Sequence, residues 1–96
     1  MKTIAVVLSV LAALASGLAI AQSGMDVLKA KGCLNCHDFE KKKIGPAYKD
    51  VAAKHKGDKN AESMLVSKLK EGKGHPKISA SDAELKAAVD AVLSTK

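Results

Sequence analysis

The sequence predicts an all-α fold of about four short helices. Three observations carry this. Apolar residues recur at three- and four-residue spacing, no segment sustains period-two alternation, and side-chain caps and glycines bracket each periodic stretch. Ser23-Gly24-Met25-Asp26 reads as a capped start, followed by Val27, Leu28 and Ala30 and a stop at Gly32. Gly45-Pro46 opens a second helix carrying Tyr48, Val51 and Ala52, with Gly57 as its end. A third covers about Lys59 to Glu71, with Ala61, Met64, Leu65 and Leu69 on one stripe and Gly72 as the stop. Ser81-Asp82-Ala83-Glu84 forms a capping box for the last helix, whose stripe is Leu85, Ala88, Val89 and Val92.

The chain has 96 residues, and its first segment reads as an export signal. Met1-Lys2 is a short positive start, an apolar run follows from Ile4 to about Leu14, and Ala19-Ile20-Ala21 supplies a small-x-small cleavage pattern. Residues 1–21 are therefore expected to be a signal peptide and residues 22–96 one small domain. The rival is an uncleaved membrane anchor, since about 20 apolar residues can span a bilayer. A domain this small buries a modest core and usually needs a staple. It is also poor in large apolar groups, with no Trp and only Phe39 and Tyr48 as aromatics.

Cys33-Leu34-Asn35-Cys36-His37 holds both cysteines of the chain. C-x-x-C-H is a haem-attachment run: the two thiols add to the vinyl groups and the histidine is delivered to the iron. A thioredoxin-like pair would want a βαβ context, and a zinc knuckle a second ligand pair at matching spacing. Neither accompanies this run, and His55 and His75 lie too far downstream to make that second pair. The expected cofactor is one haem c, covalent through Cys33 and Cys36. The thioethers use both sulfurs, so no disulfide is expected. Haem also supplies the missing apolar surface, so the haem-free chain is expected to be largely unfolded.

From Leu28 to Leu93 the chain resembles the small bacterial class I cytochromes c, monohaem proteins. The resemblance rests on the helix before Gly32, CLNCH, Ile44-Gly45-Pro46-Ala47-Tyr48 and the helix after Ser81-Asp82. It implies a cytochrome c-like fold, first and last helices crossing near the haem, with Gly32 at that crossing. It also implies that the Pro46 carbonyl accepts from the far nitrogen of His37, fixing the ring's orientation. The family's usual bulky aromatic near the crossing is missing. Ala91 stands there, so looser packing is expected.

The family's sixth iron ligand is commonly the methionine of a Met-Pro pair, seven residues before the Asp that opens the last helix. In this chain that position holds His75, followed by Pro76, after the short loop Gly72-Lys73-Gly74. His75 is therefore the candidate distal ligand beside His37, the alternative being a solvated loop histidine. Met64 is the methionine rival, but its place in an apolar stripe marks it as core filler. His55, beside Lys54 and Lys56 at a helix C-terminus, reads as a surface histidine.

Two imidazoles on iron imply a periplasmic electron carrier, not an enzyme, of lower potential than a His/Met relative, because an axial methionine raises the potential. The second function class is a binder or sensor of NO- or CO-type ligands with a weak or displaceable His75. Net charge is +6, or +5 without Lys2. Lys29, Lys31, Lys41, Lys42 and Lys43 flank the attachment run. They form either a collar that steers an acidic redox partner or merely a solvated face. With so few aromatics to stack bases, nucleic acid is not an expected partner. Nor is stable membrane insertion expected after cleavage, and the oligomeric state is expected to be a monomer or weak dimer.

Overall fold

The computed structural model describes residues 23–96; the expected signal peptide lies outside the described residues. The architecture is built on the last helix, α4 (Asp82–Leu93). Its stripe of Leu85, Ala88, Val89 and Val92 is buried along the whole length. The other three helices, α1 (Gly24–Ala30), α2 (Tyr48–Lys54) and α3 (Ala61–Glu71), all pack on it. Among the described residues there are no strands. Helices of seven residues are marginal alone, so α1 and α2 depend on this packing. Val27 and Leu28 supply it for α1: both side chains are fully buried, at about 1.5–3 kcal/mol each.

Local signals set most boundaries. The Ser23 hydroxyl accepts from the Asp26 N–H at the start of α1. At α4 the capping box is complete: Ser81 Oγ accepts from the Glu84 N–H while the Glu84 carboxylate accepts from the Ser81 N–H. The bond from the Ser81 backbone N–H, with a further contribution from the Ser81 side chain, holds the Glu84 carboxyl below the usual carboxylate range. Gly72 ends α3 at φ +74°, in the left-handed region that favours glycine. Two starts come later than the periodicity predicts. α2 begins at Tyr48 after an extended Ala47, and α3 begins at Ala61 because Asp58 Oδ1 draws the Asn60 N–H into a turn.

The structure corrects three expectations. Gly32 is not at the helix crossing; it adopts φ +72° in the turn that leads into the short 3-10 helix Cys33–Asn35. The close approach is at Gly24, where a Cβ would overlap the Ala87 carbonyl and stand 2.7 Å from Ala91 Cβ. Ala91 is therefore closely approached by α1 and not loosely packed, and Gly24 is what permits that approach. Met64 is not core filler. It is 48% exposed, while α3 turns Leu65 and Leu69 to the cavity described below.

Candidate functional site

A mostly apolar cavity of about 660 Å³ opens between the Cys33–Asn35 turn, α2, α3 and the loop after α3. Leu28, Val51, Leu65, Leu69 and the Ala88-Val89-Val92 face of α4 give it apolar walls, and Cys33 and Cys36 line it as well. The two cysteines are partly buried and no disulfide joins them. Burial pushes the Cys33 thiol up, partly offset by a backbone hydrogen bond. A broad apolar slot with two thiols on its wall fits a macrocycle attached through both sulfurs. Among the described residues no group of three His, Cys, Asp or Glu side chains clusters to hold a bare metal ion.

His37 is held from three directions. Its Nδ1–H donates to the Pro46 carbonyl at 2.8 Å. The Tyr48 ring stacks on it with centroids 4.8 Å apart, planes 19° from parallel. Gly45 presses on the ring, where a Cβ would overlap Cε1 and stand 2.7 Å from both nitrogens. Phe39 meets Tyr48 edge-on at 5.5 Å, backing the stack. The segment itself is tied to the turn by backbone bonds: the Gly45 N–H donates to the Cys36 carbonyl at 2.7 Å, and the Tyr48 N–H to Asp38 at 2.9 Å. The Asp38 carboxylate accepts the N–H groups of Glu40 and Lys41, which hold it below the usual range. Burial raises the Tyr48 hydroxyl, so it stays neutral.

His75 is half-buried and faces His37. The two ring centroids are 6.0 Å apart and the planes 9° from parallel. The His75 Nδ1–H donates to the Pro76 carbonyl at 2.8 Å. A carbonyl can only accept, so both rings carry their proton on Nδ1 and leave the Nε2 lone pair free. The loop that delivers His75 is closed at its base by Ile78 N–H to the Leu69 carbonyl at 2.9 Å and by a Lys70–Asp82 ion pair at 2.9 Å. Gly72 and Gly74, both at positive φ, give it the tight bend.

Cys33, Cys36, His37, Pro46 and His75 thus meet around one cavity. Sequence reasoning missed the packing of Gly45 and Tyr48 on His37, although both lie in the Ile44–Tyr48 segment it singled out. It also misread His55. The residue does cap the C-terminus of α2, but its side chain is only 14% exposed and lines the cavity. Of the lysines flanking the attachment run, Lys31 lines the cavity, joined by Lys54 and Lys68 from elsewhere in the chain. Lys43 instead donates to the Leu34 carbonyl at 3.3 Å. No helix of the described residues is long and apolar enough to cross a membrane.

No family model matches the chain. Individual relatives do. It is 43% identical over 75 residues to cytochrome c-552 of Hydrogenobacter thermophilus, covering 71% of this chain and 76% of that protein. It is 37% identical over 84 residues to cytochrome c-552 of Nitrosomonas europaea (79% and 82%), and 45% identical over 69 residues to cytochrome c-551 of Pseudomonas aeruginosa (67% and 66%). The crystal structure of the Nitrosomonas europaea cytochrome superposes with a TM-score of 0.66 at 35% identity, covering 75% of this chain and 99% of that one. A class 1 cytochrome from Sideroxydans lithotrophicus gives 0.70 at 31% identity, covering 75% and 91%. The cavity with its paired thiols and these relatives lead to one conclusion: the chain belongs to the small class I monohaem cytochromes c, electron-transfer proteins that work with redox partners, and it carries a c-type haem bound covalently through Cys33 and Cys36.

Proposed function

We propose that this cytochrome is an exported, periplasmic one-electron carrier whose iron is held between His37 and His75. The reading is supported above all by the two facing imidazoles. Metal–imidazole bonds of about 2.0 Å on either side of one ion space two ring centroids by roughly 6 Å, and the observed spacing is 6.0 Å. Each ring's Nδ1–H is committed to a proline-residue carbonyl, the outer bonding that orients a ligating histidine and leaves Nε2 for the metal. Haem supplies the redox chemistry when bound; the chain's residues bind, orient and tune it.

Loss of the thioether removes a preference for ferrous iron, so the potential lies below that of His/Met relatives. The cleavage pattern ending at Ala21 supports export. Lys31, Lys54 and Lys68 on the cavity wall favour an acidic docking face on the partner, with salt-dependent association. The test is spectroscopic. Ferric wild type gives a bis-imidazole EPR and near-infrared spectrum, and His75→Met converts it to the imidazole–thioether type with a raised potential. A wild-type spectrum already showing methionine ligation overturns the assignment.

A further inference from the structure

We propose that Tyr48 is a positioning residue for the iron ligand: its stacked ring fixes the plane of the His37 imidazole about the iron–nitrogen axis and holds it parallel to His75. The inference rests on both histidines ligating the iron as proposed above. The hydrogen bond to Pro46 does not fix this plane by itself. Nδ1 lies close to the line that runs from Nε2 through the ring, so turning the imidazole about that line moves the donor little. The 2.8 Å bond to the Pro46 carbonyl therefore opposes the turn only weakly. A flat ring lying against the imidazole face opposes it directly. Tyr48 stacks there with centroids 4.8 Å apart and planes 19° from parallel, within the range that aromatic pairs favour.

Tyr48 is itself held still. It is 5% exposed, clustered with Val27, Leu28, Ala88 and Val92, and Phe39 meets it edge-on. Its backbone is tied to the residues that follow the ligand: the Tyr48 N–H donates to the Asp38 carbonyl at 2.9 Å and the Lys49 N–H to the Phe39 carbonyl at 3.0 Å. The His75 ring is held by its own bond to the Pro76 carbonyl, and the two imidazole planes lie 9° from parallel. The consequence is electronic. Axial ligands and the bonding around them are the levers a protein holds over haem iron. Each imidazole raises the iron d orbital that overlaps the π orbital standing out of its ring plane. Parallel rings act on the same orbital, crossed rings on different ones. A parallel pair thus sets one half-filled orbital of ferric iron apart, and the direction of that orbital decides over which part of the macrocycle the unpaired electron spreads.

The test uses the haem-loaded ferric protein, read by EPR and by the NMR shifts of the haem methyl groups. Wild type is compared with Tyr48→Phe, Tyr48→Leu and a control, Leu85→Val, at a core position 1% exposed and outside the cavity wall. Wild type is expected to give the rhombic low-spin spectrum of parallel imidazoles. Tyr48→Phe keeps the spectrum and the methyl shift pattern, because the stacked ring remains. Tyr48→Leu spreads the g values toward the strongly anisotropic type and redistributes the methyl shifts. Leu85→Val lowers the melting midpoint and leaves both readouts as in wild type. A strongly anisotropic wild-type spectrum overturns the proposal, even where Tyr48→Leu fails to fold. So do methyl shifts that match wild type in Tyr48→Leu, that depart from it in Tyr48→Phe, or that change as much in Leu85→Val as in Tyr48→Leu. An imidazole–methionine spectrum in wild type defeats the His75 reading instead, and the methyl shifts of the two Tyr48 variants still decide whether the ring positions His37.

Discussion

Gly45 lies against the imidazole of His37 so closely that a methyl group on its α-carbon would overlap the ring. Its φ is not in the left-handed region, so the glycine is there for space and not for backbone freedom. Tyr48 stacks on the same imidazole, which leaves the ring little room to yield. Gly45→Ala is expected to displace His37 or the 44–46 segment, at about 1–3 kcal/mol for overpacking. Thermal unfolding of the haem-loaded variant measures the loss, and its ferric spectrum reports a disturbed axial ligand. An unchanged spectrum and melting midpoint would mean that the segment gives way freely.

The Gly24–Ala91 contact makes a complementary prediction. Restoring bulk at the crossing with Ala91→Phe should destabilise the fold by about 1–3 kcal/mol, because Gly24 leaves only 2.7 Å between a Cβ of its own and that of Ala91. For a domain of this size, each 1 kcal/mol lowers the midpoint by roughly 4–8 °C. Stabilisation by Ala91→Phe would instead reveal an unfilled space between α1 and α4.

His75→Ala opens a coordination position while leaving His37 with Pro46 and Tyr48. Reduced wild type is expected to respond little to CO, and reduced His75→Ala rapidly and strongly, in the visible spectrum. A wild type that binds CO as fast as the variant would favour the ligand-sensing class over the carrier.

Ser81→Ala removes the hydroxyl half of the capping box, at about 1 kcal/mol of stability near neutral pH. The Glu84 carboxyl is depressed by its bonds to Ser81, so its contribution is fully present above the ordinary carboxylate range and is lost as pH falls through the depressed value. Melting midpoints followed from neutral to acid pH should show the gap between wild type and Glu84→Gln narrowing in acid, because the pH-dependent bond is the one the carboxylate accepts from the Ser81 N–H. A gap constant across that range would separate the cap from the carboxylate.

The attachment run, the serine caps and the glycine stops were legible in the residues alone because each is a local device: spacing along the chain is the chemistry. Counting back from Asp82 was enough to reach His75 for the same reason. Met64, His55 and the two close-packed glycines were not legible. Periodicity marks Met64 as inward, yet α3 turns Leu65 and Leu69 to the cavity and the methionine is left 48% exposed. A helix-end histidine between lysines reads as solvated until the cap turns it toward the cavity.

By itself, then, the sequence determined that the chain is helical, where most helices stop, and which two sulfurs meet one haem. Only the tertiary structure decided that Gly24, and not Gly32, marks the helix crossing, that Gly45 and Tyr48 clamp His37, and that His75 faces it at 6.0 Å. Helix caps and motif spacing depend on neighbours a few residues away. Close approaches depend on the angles between packed elements, which no short stretch of chain encodes.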